Sequence, residues 1–374
     1  MRNVPFMLAV VGFVQGCGSP GEPVRPGHPT APATPPAAEP GAQPAALKNI
    51  DLQGAGATFP FPLYSKWVAE YQKVDPAVRI NYQSIGSGGG IRQITERTVD
   101  FGATDAPMKE DEMAKARGKL LHVPTTVGAV VVGYNVPGAT GIKLDPPVLA
   151  GIFLGEIKKW NDPKIAKLNP GVRIPPDDIT VAYRSDGSGT TAVFTEYLAK
   201  ISPAWKGKVG SGKSVKFPVG LGAKGNEGVA GQLKTTPGTI GYVELAYAKQ
   251  TGIRYASIQN AAGKFVDPTP ESISAAAAGA MANMPDDLRV SIVNAAGDAT
   301  YPIASFTYIL VHEEQADPVR GKALAEFLWW AIHDGQKFGG PLDYAPLPAD
   351  MVRKVETKLK GLKTAGGAQL LAGL

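Results

Sequence analysis

Cysteine is nearly missing from this chain. Of 374 residues only Cys17 is a cysteine, so no disulfide can close within one copy. Histidine is scarce as well. His28, His122, His312 and His333 are scattered, with no spacing that suggests a metal centre or a nucleophile–histidine pair. The formal net charge is +5, yet Lys and Arg are spread along the chain without a basic block, which argues against a nucleic-acid partner. There is no G-x-x-x-x-G-K-[ST] run, so no nucleotide P-loop. Gly86-Ser-Gly-Gly-Gly-Ile91 and Gly54-Ala-Gly-Ala-Thr-Phe59 both lack the third glycine of a dinucleotide fingerprint. Asp186-Gly-Ser188-Gly-Thr190 is not a nucleophile elbow, because aspartate stands where the first glycine belongs.

The N-terminus reads as an export leader. Arg2 precedes a short apolar run from Val4 to Val14, too short to cross a bilayer, ending at Gln15-Gly16-Cys17. A small residue before a cysteine resembles a bacterial lipoprotein cleavage site, although Gln15 is unusual there. The alternative is an ordinary secretory signal with an incidental cysteine. The expectation is a signal peptide over 1–16, acylation at Cys17 and a tether through 47. Residues 18–46 carry nine prolines and almost nothing apolar larger than valine, so they cannot bury enough surface to offset chain ordering. Such a segment is an extended spacer.

From about residue 50 the pattern is α/β. Val78, Ile80 and Tyr82 alternate as in a strand, as do Ile179, Val181 and Tyr183. Helical spacing follows each: Ile91, Ile94, Thr98 and Val99 after the first, then Phe194, Tyr197, Leu198 and Ile201 after the second. Leu63, Trp67, Val68 and Tyr71 predict a helix entered through Pro60 and Pro62. Ala129–Val132 and Tyr308–Val311 are continuous apolar runs, expected to be strands buried on both faces of a parallel or mixed sheet.

Three segments place a hydroxyl among small residues at a predicted helix start: Gly54–Phe59 with Thr58, Gly86-Ser87-Gly88, and Gly187-Ser188-Gly189-Thr190. A helix start has unpaired N–H groups and partial positive charge. Small residues let an anion approach those donors. Each segment alone is better read as ordinary capping. Three together, with Arg184 beside one of them, point to a shared oxyanion. Arg184 would offer forked donors with Asp186 holding its plane, or would be a simple surface pair with Asp186. Asp105 would be a site carboxylate or a turn residue before Ala106-Pro107.

At these residues the chain resembles the PstS family, the periplasmic phosphate-binding proteins of high-affinity phosphate ABC transporters. The similarity runs from about 52 to 350. It is carried by GAGATFPFPLYSKW at 54–67, YQSIGSGGGIRQI at 82–94, TVDFGATDAPM at 98–108, LGEIKKWNDPKIAKLNPG at 154–171 and RSDGSGTTAVFTEYLAK at 184–200. GLGAKGNEGVAG at 220–231, PGTIGYVELAYAKQ at 237–250 and LDYAPLP at 342–348 continue it in family order.

The resemblance implies a type II periplasmic-binding-protein fold: two α/β domains joined by a two-segment hinge, with the ligand in the cleft. Domain I would comprise 48–127 and 304–374, and domain II 128–303, with crossings near Thr125–Gly128 and Ile303–Thr307. It further implies that Thr58, the Phe59 N–H and Ser87 bind phosphate oxygens. Arg184 would be the cationic ligand, oriented by Asp186. Ser188, Gly189 and Thr190 would add helix-start donors, and Asp105 would accept from a proton on the phosphate. Gly88 stands where relatives often have serine, which would loosen the loop without removing a ligand. The implied protein is a monomeric capture protein rather than an enzyme. It needs no cofactor or metal, and its partners are phosphate, transporter permease subunits and a membrane reached through acylated Cys17. It would be exported, in the periplasm or at the cell surface. Other readings stay open: a binder of sulfate, molybdate or tungstate, a secreted phosphatase, or an adhesin on the same scaffold. Asp105 argues for a protonated oxyanion, and the dispersed histidines argue against a phosphatase.

Overall fold

The computed structural model describes residues 49–373; the leader at 1–16, Cys17 and the Pro-rich tether lie outside the described residues. The chain opens with β1 (Ile50–Gly56), α1 (Phe61–Val74), β2 (Val78–Ser84), α2 (Ser87–Thr95) and β3 (Phe101–Thr104). A short α3 (Glu110–Met113) leads into β4 (Leu120–Tyr134), which is buried along its whole length. Then follow β5 (Lys143–Leu144), α4 (Pro146–Phe153), α5 (Pro163–Leu168), β6 (Thr180–Arg184), α6 (Gly189–Ile201), α7 (Pro203–Lys208) and β7 (Leu221–Ala223). Next are α8 (Gly225–Thr235), β8 (Thr239–Glu244), α9 (Leu245–Thr251) and three short strands, β9 (Arg254–Tyr255), β10 (Ser257–Gln259) and β11 (Phe265–Val266). The rest comprises α10 (Pro270–Ala280), β12 (Ala304–His312), β13 (Glu314–Gln315), α11 (Pro318–Ile332), α12 (Ala349–Lys360) and β14 (Lys363–Thr364).

The strands and helices expected from periodicity are present as β2, β6, α1, α2 and α6. One boundary differs. Thr98 and Val99 do not belong to α2, which stops at Thr95. Arg97 adopts a left-handed φ of 57°, so the helix cannot continue through it, and Thr98 N–H turns back to Gln93 O at 3.0 Å.

The main sheet runs β2-β1-β3-β12-β4-β8-β6-β7, with β9 beside β4. Its two wings are internally parallel, β1 with β2 and β3, and β6 with β7 and β8. Antiparallel β12 and β4 lie between them. The two apolar runs fall in β4 and β12, and both strands are fully buried within this mixed sheet. The early part of β4 pairs with β12, whereas Val130–Tyr134 pair with β8, so this strand serves both wings. The expected crossing segments are neighbours here, with Thr307 opposite Thr126, Phe306 opposite Val127 and Ser305 opposite Gly128.

Each wing has an aromatic core. In the first, Tyr71 packs against Phe327 and Trp330 of α11, and Trp67 Nε1 donates to Gly335 O at 2.7 Å. In the second, Tyr242 stacks on Phe194 with ring centroids 4.4 Å apart. Burying each such ring contributes about 1.5–3 kcal/mol. A buried Tyr hydroxyl needs a partner. That of Tyr242 accepts from the Arg184 N–H at 3.1 Å and pairs with Thr191 Oγ1 at 2.7 Å. The second core thereby fixes the end of β6 and the start of α6.

Candidate functional site

Thr58, Ser87 and Asp105 follow the C-terminal ends of β1, β2 and β3. Arg184 ends β6, and Ser188 caps α6. Loops at the carboxyl ends of parallel strands are where α/β sheets place ligands. All of these side chains are buried, with Thr58 2%, Asp105 1% and Arg184 5% exposed, and Ser87, Ser188 and Thr190 fully covered.

The contacts run from one wing to the other. Gly189 N–H donates to Ser87 Oγ at 3.0 Å, and Gly88 N–H to Gly187 O at 2.8 Å. Tyr247 Oη donates to Thr58 O at 2.7 Å. Lys213 of the second wing pairs with Glu112 of α3 at 2.8 Å, while its carbonyl accepts from Ser188 N–H at 2.8 Å. The glycines are explained by these approaches. A Cβ on Gly189 would lie 2.4 Å from Asp105 Oδ2 and 2.6 Å from Ser87 Oγ. One on Gly90 would lie 2.5 Å from Gly56 Cα, so α2 could not lie on β1.

Two of the three hydroxyl segments are true helix starts. Ser87 is the first residue of α2, and Ser188 caps α6 by accepting from Thr191 N–H at 3.0 Å. The third differs from expectation. Thr58 and Phe59 lie ahead of α1, whose cap is Pro60, in a turn where Phe61 N–H donates to Thr58 O at 3.2 Å. Proline at the start of α1 places the helix after Thr58, which stays in the turn between β1 and α1. Phe59 is buried, and its carbonyl accepts from Tyr344 Oη at 2.7 Å.

Arg184 is held by a forked pair: Nε to Asp186 Oδ1 at 2.7 Å and Nη2 to Oδ2 at 2.5 Å. That leaves Nη1 turned toward Thr190 Oγ1, 3.5 Å away. Burial acts to raise the Asp186 carboxyl, but the Arg184 hydrogen bonds and charge outweigh it and hold the group below its ordinary value. Asp105 is different. Burial raises it from 3.8 to about 7, and the Thr307 hydroxyl, the Arg184 charge and Ser87 only moderate the rise. Thr307 Oγ1 donates to Asp105 Oδ1 at 2.8 Å, and Ser305 Oγ to its backbone O at 2.8 Å. The ladder of β12 on β4 shifts register just after Thr307, a device that re-aims side chains.

Sequence reasoning placed Thr307 in a crossing segment but gave neither Thr307 nor Asn226 a role at the site. Asn226 bridges the hydroxyls of Thr58, at 2.8 Å, and Thr190, at 3.1 Å. The stretch containing Asn226 was visible as part of the family pattern, but its place between two distant threonines is a tertiary fact. Among the described residues no group of three or more His, Cys, Asp and Glu side chains is arranged to hold a metal, and no helix is long and apolar enough to cross a membrane.

The arrangement presents hydroxyl and helix-start donors, one guanidinium and one carboxyl of raised pKa at a junction of two wings. Comparison with known proteins gives the family. Residues 30–334 match the PBP superfamily domain. The chain is 47% identical to the phosphate-binding protein PstS of Pasteurella multocida, over 85% of this chain and 93% of that protein. It is 45% identical to PstS of Xylella fastidiosa strain 9a5c, over 86% and 87%. The fold matches a phosphate-binding protein structure from Stenotrophomonas maltophilia with a TM-score of 0.65 at 20% identity, covering 82% of this chain and 93% of that one. The chain belongs to the PstS family of phosphate-binding proteins.

Proposed function

We propose that this protein captures one inorganic phosphate ion between its two wings and delivers it to the permease of an ABC-type phosphate importer. The observation that supports this best is the meeting of Thr58, Ser87 and Asp105 from one wing with Arg184, Gly189 and Thr190 from the other. Phosphate bound here is held by the Phe59 N–H, by the hydroxyls of Thr58, Ser87, Ser188 and Thr190, by N–H groups at the start of α6, and by Arg184. The charge of Arg184 is largely spent on Asp186, so directed hydrogen bonds supply most of the attraction. Asp105 takes the hydrogen bond from the ligand's proton.

In this reading 48–127 with 304–374 form one moving body and 128–303 the other, hinged where β4 and β12 pass between them. A ligand that touches both bodies binds the closed arrangement better than the open one, and that difference drives closure. No bond of the ligand is broken. Cys17, acylated, anchors the chain, and the Pro-rich segment holds the binding unit off the membrane.

One cellular experiment tests delivery and anchoring together. Cells with no copy, a wild-type copy or a Cys17→Ala copy are given labelled phosphate at low concentration and then fractionated. Wild type should raise uptake over the null and pellet with membranes, and Cys17→Ala should appear in the soluble fraction. Equal uptake by null and wild type contradicts delivery. Equal release of both proteins contradicts the anchor.

A further inference from the structure

Asn226 sits at the start of α8 and is fully buried. Its Nδ2 donates to Thr58 Oγ1 at 2.8 Å and to Thr190 Oγ1 at 3.1 Å, and its backbone N–H reaches Thr58 Oγ1 at 3.3 Å. Its Oδ1 accepts from the Glu244 N–H at 3.0 Å. That last bond fixes which way the amide points. Turned over, Nδ2 would meet another donor and both threonines would lose the side-chain donor.

A hydroxyl oxygen has two lone pairs and one proton. On Thr58 both lone pairs face N–H groups of Asn226. On Thr190 one faces Asn226 and the other faces Arg184 Nη1 at 3.5 Å. What each hydroxyl can still offer is its proton. We infer that Asn226 is a positioning residue that fixes Thr58 and Thr190, one from each wing, as hydrogen-bond donors toward the bound oxyanion. The ligand's own proton is thereby directed to Asp105. Because Asn226 and Thr58 come from different wings, the polarity of Thr58 is set only when the wings meet, whereas that of Thr190 is set within its own wing. This inference rests on the phosphate-binding reading above.

Asn226→Asp is the sharpest test, because it keeps shape and reverses polarity. A carboxylate accepts where the amide donated. Both threonine protons turn toward it, and their lone pairs turn toward the ligand. The site then favours a ligand carrying more protons. Protonation of the new carboxyl restores a donor, which acts in the same direction. The neighbouring ionisable groups are Glu244 behind the amide, Arg184 and Asp186 at the end of β6, Asp105 across the junction and Glu227 on α8. They are common to both proteins, so their own titration largely cancels in the ratio of affinities.

The full chain, wild type and Asn226→Asp, is titrated with inorganic phosphate from roughly pH 6 to pH 8.5. The expected loss in the variant is at least about a hundredfold at the alkaline end and at least about tenfold smaller at the acid end. The added carboxylate also repels a more highly charged anion more strongly, so the neutral Asn226→Ala is titrated beside it, and a merely structural role would lower the affinity of Asn226→Ala by one factor at every pH. That outcome, or no loss at all, overturns the inference. If thermal melting shows that Asn226→Asp does not fold, Asn226→Ala decides. Its freed hydroxyls can accept as well as donate, so the same acid bias is expected with a smaller loss, and a pH-independent loss overturns it. A wild-type protein that binds no phosphate would refute the functional reading instead.

Discussion

Arg184→Ala should lower phosphate affinity by roughly two to three decades, since removal of one partner of a buried, hydrogen-bonded charge pair costs about 2–5 kcal/mol. Two effects act together. The ligand loses its guanidinium donor, and Asp186 is left as an uncompensated carboxylate beside an anion. Arg184 is only 5% exposed, so water cannot take its place easily. Arg184→Lys should not rescue it, because an ammonium cannot hold Asp186 by two parallel bonds and still present a fixed N–H to the ligand. Lys66→Ala is the control. Its ammonium lies on the outer face of α1 in a pair with Glu70 at 2.7 Å, and exposed pairs contribute about 0–1 kcal/mol. Isothermal titration of the three variants beside wild type checks this. Near-equal affinities for Arg184→Ala and Lys66→Ala would place Arg184 outside the site.

Selectivity against sulfate is the second large effect, and it depends on pH through Asp105. Burial raises this carboxyl to about 7, so it is mostly neutral below that value and mostly ionised above it. As a carboxylate it accepts the proton that phosphate carries. Facing sulfate, which carries none, it presses acceptor against acceptor in a dry junction. Sulfate can bind well only when Asp105 is protonated and donates. Sulfate affinity should therefore fall as pH rises above about 7, approaching tenfold per pH unit, because binding must take up a proton. Phosphate brings its own proton and should change far less over that range. Sites built around a buried polar partner reject analogues that lack it by about 10⁴–10⁵. Asp105→Asn keeps the shape, removes the charge and adds a donor. At roughly pH 8.5 it should narrow the phosphate-over-sulfate ratio at least tenfold and flatten the pH dependence of sulfate binding. Titrating both proteins with both anions at fixed ionic strength is the check. An unchanged ratio would make Asp105 a structural turn residue.

Much of the site is legible in sequence because small residues and hydroxyls mark backbone that something must approach. Gly86-Ser87-Gly88 and Gly187-Ser188-Gly189 stand out for that reason, and the structure brings the two loops to within hydrogen-bond distance. The glycine run has several causes that periodicity cannot separate: Gly86 takes a φ of 87° to cap α2, while Gly90 lets that helix lie on β1. Thr58 was legible as a site residue but not in its setting, since the two prolines displace the helix it was expected to start. Thr307 was legible only as the end of the Ile303–Thr307 crossing, and its partner Asp105 lies 202 residues away in the chain. Asn226 is one amide in a helix start with no pattern to single it out. The raised pKa of Asp105 has no local signal at all, because burial is a property of the assembled sheet. What sequence transmits poorly is therefore the support behind the ligand groups rather than the groups themselves.

The central claim is that one phosphate ion is bound per chain in preference to sulfate. Residues 48–374, whose described part falls in one compact unit, can be unfolded to strip endogenous ligand, refolded and titrated calorimetrically with phosphate and then with sulfate. The account predicts saturable phosphate binding at one ion per chain, with sulfate binding weaker by several decades at roughly pH 8.5. Absence of phosphate binding by the refolded unit, or equal affinity for the two anions, would contradict it.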